Sequence, residues 1–288
     1  MKMDLPCIAC FVRQAVETVE RATDDPVLRL NVIKEVCSLV QSVSVETTPP
    51  DFAERVYATI YRMTDNPDPF VEIKHAANEL VMGIEPRLQK AVGESRDPLL
   101  SAIKLSIAGN SMDLGVIREY GDVNGLAGRV LTTDLAVDDY GAFVERLQTS
   151  ENVVIVGDNN GEIVFDRMLL EQMERVRDCR YTYIVRGGPV INDVTRQDAI
   201  DVGIDRLARV MDTGAAAPGL VLSRCSDEAR RVFLRADMVV SKGQGNYESL
   251  SDAPREVFFL LLVKCDVVSQ DLSAPVGGAV VKRRAVAG

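Results

Sequence analysis

Residues 153–166 read VVIVGDNNGEIVFD. The apolar run that ends at Val156 is typical of a strand buried on both faces, and the polar residues after it are typical of a tight turn. The next segment, 164–176, places apolar side chains at helical spacing. The sequence therefore predicts a strand, a helix and a polar loop between them. The loop contains Asp158, Asn159, Asn160 and Glu162.

The same alternation continues towards the C-terminus. Apolar runs occur at 181–185, 219–223, 237–241 and 258–265, and the segment at 196–211 has a helical pattern. Strands separated by helices at this spacing indicate βαβ units and a parallel sheet. We therefore predict an α/β fold, a three-layer α/β/α sandwich with a mainly parallel sheet.

Residues 1–108 carry helix signals and almost no strand signal. Asp-Pro steps begin at Asp25, Asp68 and Asp97, and each offers a capping carboxylate before a proline suited to the first helical position. We predict a helical N-terminal subdomain at 1–108 and an α/β/α domain at 109–288. In the helix after Asp25, the expected buried face comprises Val27, Leu30, Ile33, Cys37 and Val40.

Composition narrows the classes of partner. The 288 residues include 43 acidic and 33 basic side chains, which gives a net charge of −10. Because this charge repels a polyphosphate backbone, we expect no nucleic-acid partner. The strongly apolar run at 257–263 is too short to cross a membrane, and the first twenty residues lack the pattern of a signal peptide. We therefore expect a cytoplasmic protein with no membrane partner.

Polar residues follow three of the predicted strands, at the edge where ligands of parallel sheets bind. We expect these loops to converge. Asp158, Asn159 and Asp193 offer the oxygen ligands that Mg²⁺ or Mn²⁺ prefers. Lys242 or Arg186 adds positive charge for a phosphoryl group. The other polar residues of these loops are Asn192, Thr195 and Asn246.

Each of these loops also has an ordinary structural interpretation. GDNNGE is typical of a turn, and Asn192 or Asp193 is typical of a helix cap. Asn110 and Asp113, in SIAGNSMDLG, are typical of a polar turn at the end of a helix. KGQGN lacks the spacing of the established phosphate loops. The convergence of three loops at one sheet edge is the stronger argument for a site.

Two further features have competing interpretations. Of the six cysteines only Cys7 and Cys10 form a close pair, so we expect reduced thiols. These two either pack inward in the first turns of a helix or serve a metal or redox site, although no second pair completes a zinc site. His75, the single histidine, lies in an amphipathic segment. A catalytic triad based on histidine is therefore not expected.

Four motifs occur in a fixed order: GNSMD, GDNNGEIVFD, RGGPVINDVTRQDA and SKGQGN, after an N-terminal PCIACFVRQA. Together they resemble the metal-dependent damage-control phosphatases, long known as domain of unknown function 89. Eukaryotic members of that family were described as acidic-residue methyltransferases. The resemblance covers nearly the whole chain, and the N-terminal CxxC makes it most similar to the stand-alone prokaryotic branch.

The resemblance implies a metal- and phosphate-binding α/β/α domain and hydrolysis of small phosphomonoesters, such as sugar phosphates or damaged phosphometabolites. It implies that Asp158, Asn159 and Asp193 hold a divalent ion, which is Mn, Co, Ni or Mg, and that they are catalytic. It also implies that Asn110, Asp113 and Lys242 approach the metal or the substrate phosphate. We expect Lys242 to be catalytic as well, by offsetting the charge that develops on the phosphoryl group. Asn160 departs from the family, where a small residue often occupies this position.

Two other functions remain open at this stage. The older description of the family favours a carboxyl methyltransferase that uses S-adenosylmethionine, although no glycine-rich loop follows an early strand. A protein that binds metal or phosphate without turnover is the second alternative. The partner predicted from the resemblance is a small phosphorylated metabolite.

Overall fold

A computed structural model describes residues 1–44, 46–109, 128 and 130–285. Its first part is helical, as predicted. The helices there are α1 Leu5–Ala22, α2 Pro26–Leu39, α3 Pro49–Thr64, α4 Val71–Gly93 and α5 Pro98–Gly109, with a 3-10 turn at Val40–Ser42.

The rest of the described chain forms a sheet and the helices that cover it. The strands are β1 Val137–Asp138, β2 Asn152–Val156, β3 Arg180–Val185, β4 Arg209–Asp212, β5 Met238–Lys242, β6 Val257–Leu262 and β7 Ala279–Arg284. The helices are α6 Tyr140–Thr149, α7 Glu162–Val176, α8 Arg196–Asp201, α9 Asp227–Arg235, α10 Gly243–Leu250 and α11 Asp266–Leu272, and a 3-10 turn lies at Ile204–Arg206.

The sheet has seven strands in the order β1-β7-β6-β5-β2-β3-β4. Strands β6, β5, β2, β3 and β4 are mutually parallel, and β7 runs antiparallel to β6. Side chains alternate between the two faces: Val153 and Ile155 of β2 enter one core, and Val154 and Val156 enter the other. Helices α4 to α7 cover the first face and α9 to α11 cover the second. The predicted three-layer α/β/α sandwich is confirmed.

Helices α1, α2 and α3 form a third core of their own, and one residue of the sheet part completes it. Val190, from the loop after β3, is fully buried among their apolar side chains. Helices α4 and α5 pack instead on the sheet, through residues such as Val81 and Ile103. The predicted division into 1–108 and 109–288 stays a prediction.

Two strand and helix assignments in the middle of the chain are wrong. The segment 219–223 is not a strand, because Gly219 has φ +101° and the Leu220 N–H donates to Asn246 Oδ1 at 2.8 Å rather than to a neighbouring strand. The fourth strand, β4, begins within the predicted helix 196–211 and ends one residue beyond it. That helix ends at Asp201, because Gly203 at φ +81° terminates it in the left-handed conformation.

The expected face of α2 is wrong at three of its five residues, whereas the other two, Ile33 and Val40, are partly buried and pack against the third core. Val27 is 66% exposed and Leu30 is 57% exposed, whereas Val32 and Val36 are fully buried. Cys37 is exposed as well. Both stripes have helical spacing, so periodicity alone does not distinguish them, and contact with α1 and α3 selects the second stripe.

The helix caps follow the predicted pattern at two of three Asp-Pro steps. Asp25 accepts from the Val27 N–H at 2.8 Å and Asp97 accepts from the Leu100 N–H at 3.0 Å. Asp68 differs, since α4 begins only at Val71 and the Asp68 carboxylate pairs with Lys74 Nζ at 2.6 Å. Within the described residues, no helix has the length and apolar character needed to cross a membrane.

Candidate active site

The loop after β2 leaves the sheet through Gly157. Its N–H donates to Ile184 O at 2.9 Å, so pairing with β3 continues one residue beyond the strand. A Cβ atom at this position would lie 2.5 Å from Tyr183 Oη, which only glycine avoids. The next residues, Asp158 and Asn159, are thereby placed at the carboxyl edge of the sheet.

The loop after β3 pairs with this first loop. The Val194 N–H donates to Asp158 O at 2.8 Å, and the Asn160 N–H donates to Asn192 O at 2.9 Å. The two backbones form an isolated bridge in which Asn159 lies opposite Asp193. The predicted convergence of these two loops is therefore observed, and three predicted metal ligands lie together.

Arg186 joins the two carboxylates from behind. Its Nε donates to Asp193 Oδ2 at 2.6 Å and its Nη2 donates to Asp158 Oδ1 at 3.1 Å. Arg186 is only 1% exposed, and its Nη1 is buried without a hydrogen-bond partner among the described residues. We refer to Asp158, Arg186 and Asp193 as the Arg186 triad. Within this triad, one cation lies between two carboxylates.

The surroundings of Asp193 change the pKa of its carboxyl. Burial raises the pKa of its carboxyl to about 7, Arg186 opposes the change, and the negative charge of Asp158 adds to it. A bound cation would favour the ionised form of this carboxyl and lower its pKa. The Asp193 carboxylate is therefore a group that a bound cation would stabilise.

A cavity of about 410 Å³ opens in front of the triad. Asp158, Asn159 and Asp193 lie on its sheet side, and residues of α1 and α3 form the opposite side. Arg13 and Lys264 are its basic lining residues within the described chain. Both are exposed. The cavity therefore combines a negative floor with cations on its wall.

Lys242 lies in a different environment from the one predicted. It is fully buried, and its Nζ donates to Ser106 O at 3.2 Å, to Asp166 Oδ1 at 2.7 Å and to Glu162 Oε1. We refer to Glu162, Asp166 and Lys242 as the Lys242 triad. Burial raises the pKa of Glu162 to about 8, although the Lys242 charge opposes it. The pKa of Lys242 is raised by the two carboxylates in spite of its own burial.

The predicted site residues thus fall into three groups. Asp158, Asn159 and Asp193 line the cavity, whereas Arg186 lies behind the carboxylates and Lys242 belongs to the sealed triad. Asn110 and Asp113 lie outside the described residues. Their roles towards substrate stay predictions.

The competing interpretation of Asn192 or Asp193 as a helix cap is wrong. Thr195 is the N-cap of α8, and it forms a capping box with Asp198. The Thr195 hydroxyl donates to Asp198 Oδ2 at 2.7 Å, and its N–H donates to the same atom at 2.8 Å. Neither Asn192 nor Asp193 caps α8, and both line the cavity.

Part of the cavity wall consists of residues that were not predicted from the sequence. Lys264 and Cys265 directly follow the apolar run of β6, so the strand-end rule applied to this strand would have found them. Glu248 of α10 also lines the cavity. Burial raises the pKa of Glu248 to about 7, with a contribution from the nearby Asp158 charge.

The cysteine pair and the histidine occupy different surroundings. Cys7 and Cys10, in the first turns of α1, line the cavity together with Cys265, and all six cysteines are free thiols. Burial raises the pKa of Cys7. His75 is exposed on α4, so its predicted place on a helix face is confirmed.

The side-chain oxygens of Asp158, Asn159 and Asp193 suit a hard divalent ion. No group of three His, Cys, Asp or Glu side chains in the described residues is arranged to hold a metal. The set is instead two carboxylates and the amide oxygen of Asn159, whose Nδ2 donates to Asp158 Oδ2 at 2.9 Å. Mg²⁺ and similar ions commonly bind few protein oxygens and complete their shell with water and phosphate.

The protein is an α/β/α sandwich with a mainly parallel sheet, and acidic side chains line a cavity at the carboxyl ends of its strands. The model for the damage-control phosphatase ARMT1-like domain matches residues 3–280. The chain therefore belongs to the damage-control phosphatase ARMT1-like family, and the resemblance of its motifs is confirmed. Its assignment to the branch with the CxxC stays a prediction.

Similar proteins span the same length. A "Damage-control phosphatase" from Archaeoglobus fulgidus is 32% identical over 98% of this chain and 99% of its own. "Damage-control phosphatase PH1575" from Pyrococcus horikoshii is 30% identical over 98% of both chains. The crystal structure of a DUF89 family protein, PH1575, from Pyrococcus horikoshii matches with a TM-score of 0.89 at 29% identity and covers 98% of this chain and 99% of that one.

Proposed function

We propose that this protein is a phosphatase that depends on a divalent metal and hydrolyses small phosphomonoesters, such as sugar phosphates or damaged phosphometabolites. The observation that carries the proposal is the Arg186 triad, which places two buried carboxylates at the floor of a cavity. Membership of a damage-control phosphatase family supports the reaction class.

Asp158, Asn159 and Asp193 would hold the ion, for which Mn, Co, Ni and Mg are the candidates. When bound, such an ion supplies positive charge to the phosphoryl oxygens and orients the phosphoryl group. Arg186 fixes one oxygen of each carboxylate through its two hydrogen bonds. The orientation of both carboxylates is therefore set by a rigid, buried arginine rather than by mobile surface side chains.

Lys264 is the group of this chain best placed to receive the substrate phosphate. It is exposed, lines the cavity, and its charge lowers the pKa values of both Asp193 and Glu248. A phosphate that enters a negative cavity needs such a cation to reduce repulsion. Arg13, from α1, adds a second positive group on the wall.

The volume of the cavity supports a small substrate. About 410 Å³ lies within the usual range of small-molecule sites. Walls from α1 and α3 limit the access of water to the reacting phosphate. Cations for the anionic part of the substrate and a partly apolar wall for the rest agree with a small phosphorylated metabolite as partner.

The experiment is phosphate release from a panel of phosphomonoesters by protein stripped of metal and then supplied with Mg²⁺, Mn²⁺, Co²⁺ or Ni²⁺. We expect release that requires a metal and is lost in both Asp158→Asn and Asp193→Asn, with circular dichroism unchanged. Release without metal, or full activity of either variant, would remove the proposed site. Saturable binding of S-adenosylmethionine without phosphate release would favour the methyltransferase alternative.

A further inference from the structure

Helix α4 reaches the site through one buried side chain. Asn78 is 4% exposed, and its Nδ2 donates to Asn160 Oδ1 at 2.8 Å. Its Oδ1 accepts from the Gly161 N–H at 2.6 Å. Both ends of a single amide are therefore used by two consecutive residues of the loop that carries Asp158 and Asn159.

Asn160 passes this contact on to the second loop. Its Nδ2 lies within hydrogen-bond distance of Asn192 O and Asp193 O, both at 3.2 Å, and of Asp198 Oδ2 at 3.3 Å. Asn160 is 6% exposed. The side chain that departs from the family pattern thus connects the two loops that carry the predicted metal ligands.

Gly161 needs an external partner at this point. It is the N-cap of α7, has φ +81° and forms no side-chain cap of its own. Asn78 Oδ1 accepts from the N–H of this N-cap residue, so the start of α7 is joined to α4 by a buried hydrogen bond. A Cβ at Gly161 would lie 3.3 Å from the Ala77 Cβ, which shows how closely the two elements approach.

A buried ion pair holds the same part of α4. Lys74 Nζ lies 2.6 Å from Asp68 Oδ2 and 3.7 Å from Asp198 Oδ2. Asp198 is the capping-box partner of Thr195 in the first turn of α8, and it also faces Asn160. One turn of α4, from Lys74 to Asn78, is therefore fixed to both loops by charged and polar contacts in a buried environment.

We infer that Asn78 is a positioning residue that sets the geometry of the Asp158 and Asp193 loops for metal binding. The inference rests on the proposed function, because it assigns Asn78 to the metal site proposed there. Groups that orient metal ligands typically change metal affinity or activity about 10- to 100-fold when they are removed. Asn78 acts on the ligands through Asn160 and Gly161 and touches neither substrate nor metal.

The test compares wild type, Asn78→Ala, Asn78→Asp and Val81→Ala. Val81 lies one turn further along α4, is 1% exposed and packs only in the apolar core, so Val81→Ala loses packing without touching the loops. The measurements are the Mn²⁺ concentration for half-maximal phosphate release, the rise in unfolding temperature on addition of Mn²⁺, and hydrogen exchange of residues 157–165 in metal-free protein.

We expect Asn78→Ala to raise the required Mn²⁺ concentration about 10- to 100-fold, to reduce the Mn²⁺-dependent rise in unfolding temperature and to accelerate exchange in 157–165. Asn78→Asp keeps the acceptor for Gly161 and should lose less, and it serves if the alanine variant does not fold. Val81→Ala should lower the unfolding temperature and keep the wild-type Mn²⁺ requirement.

Wild-type Mn²⁺ affinity and exchange in both Asn78 variants would overturn the inference while the proposed function stands. The same loss of Mn²⁺ affinity in Val81→Ala would also overturn it, since general destabilisation of α4 would then explain the effect. A wild-type protein that neither binds Mn²⁺ nor releases phosphate would overturn both the inference and the proposed function.

Discussion

The Arg186 triad and the Lys242 triad have the same charges and different surroundings. Each has one cation between two carboxylates, and each cation is almost completely buried. The Arg186 triad presents Asp158 and Asp193 to the cavity, whereas the Lys242 triad does not line it and has additional partners in Ser106 and Tyr183. The comparison shows that charge composition does not distinguish a binding site from a structural ion pair. Access from the cavity does distinguish the two kinds of cluster.

The second lesson concerns the cation. Among the residues that the structure describes, Arg186 Nη1 has no partner, whereas Lys242 directs its ammonium group to three acceptors. Polar groups in a structural cluster are normally satisfied within the protein. The unsatisfied group in the Arg186 triad and the exposure of its carboxylates to the cavity are the features that set it apart as the candidate functional site.

The largest effect should separate the triads by activity. Asp193→Asn should lower metal-dependent phosphate release by more than about a thousandfold, because a charged metal ligand is lost. Its unfolding temperature should stay the same or rise, since a buried carboxylate beside Asp158 is removed. Steady-state kinetics and differential scanning calorimetry check this. The matched control is Asp166→Asn in the Lys242 triad, which should be less stable and retain most turnover. Equal losses of turnover in the two variants would abolish the distinction.

The next effect tests the Lys242 triad by stability. Lys242→Met should lower the free energy of unfolding by about 3–5 kcal/mol, because two buried carboxylates lose their cation. Urea unfolding of metal-free protein measures it, with Lys34→Met on the exposed side of α2 as the control. Unchanged stability together with complete loss of turnover would instead restore the catalytic role that the sequence predicted for Lys242.

A smaller effect concerns the cavity wall. Lys264→Ala should raise KM for a phosphomonoester about tenfold with little change in unfolding temperature, because an exposed cation that meets the phosphate is lost. Initial-rate kinetics with varied substrate checks this, and Lys264→Arg should recover most of the loss. A normal KM in Lys264→Ala would leave the phosphate to other groups and weaken the proposed division of the cavity.

The smallest effect depends on pH. The folded-state pKa of Glu248 is about 7, raised above its ordinary value by burial, so its favourable contribution is complete below about pH 4.5 and is lost as the pH rises through 7. Glu248→Gln removes this loss and should gain about 1 kcal/mol relative to wild type between pH 4.5 and pH 8, after allowance for solvent screening. Urea unfolding at several pH values measures it. A difference that does not vary with pH would contradict the raised pKa of buried Glu248.

Sequence reasoning located the part of the site that depends on strand order. Asp158, Asn159 and Asp193 follow β2 and β3, and parallel neighbours necessarily bring their carboxyl ends together. Lys242 also ends a strand, but its side chain shares the face of Val240, which enters the core below α5 and α7. The sequence does not show which alternating face opens to the cavity, so Lys242 and Asp193 could not be distinguished.

The remaining residues were hidden because they come from distant segments. Asn78 lies in an amphipathic helix with no motif of its own, and its value follows only from contact with Asn160 and Gly161. The same limit explains the wrong face of α2, where two apolar stripes compete and tertiary contacts decide. Periodicity predicts which elements form, whereas their mutual packing determines which side chains meet.

The insertion of Val190 into the core of α1–α3 affects the order in which the protein is completed during synthesis. The next residue, Ile191, donates its N–H to Tyr61 Oη at 3.0 Å across 130 positions of sequence. Helices α1–α3 leave the ribosome early, yet their core lacks a buried residue until the loop after β3 has been made. That loop also carries Asp193. A newly made chain therefore receives the last buried residue of its N-terminal core and the Asp193 loop at the same stage of synthesis.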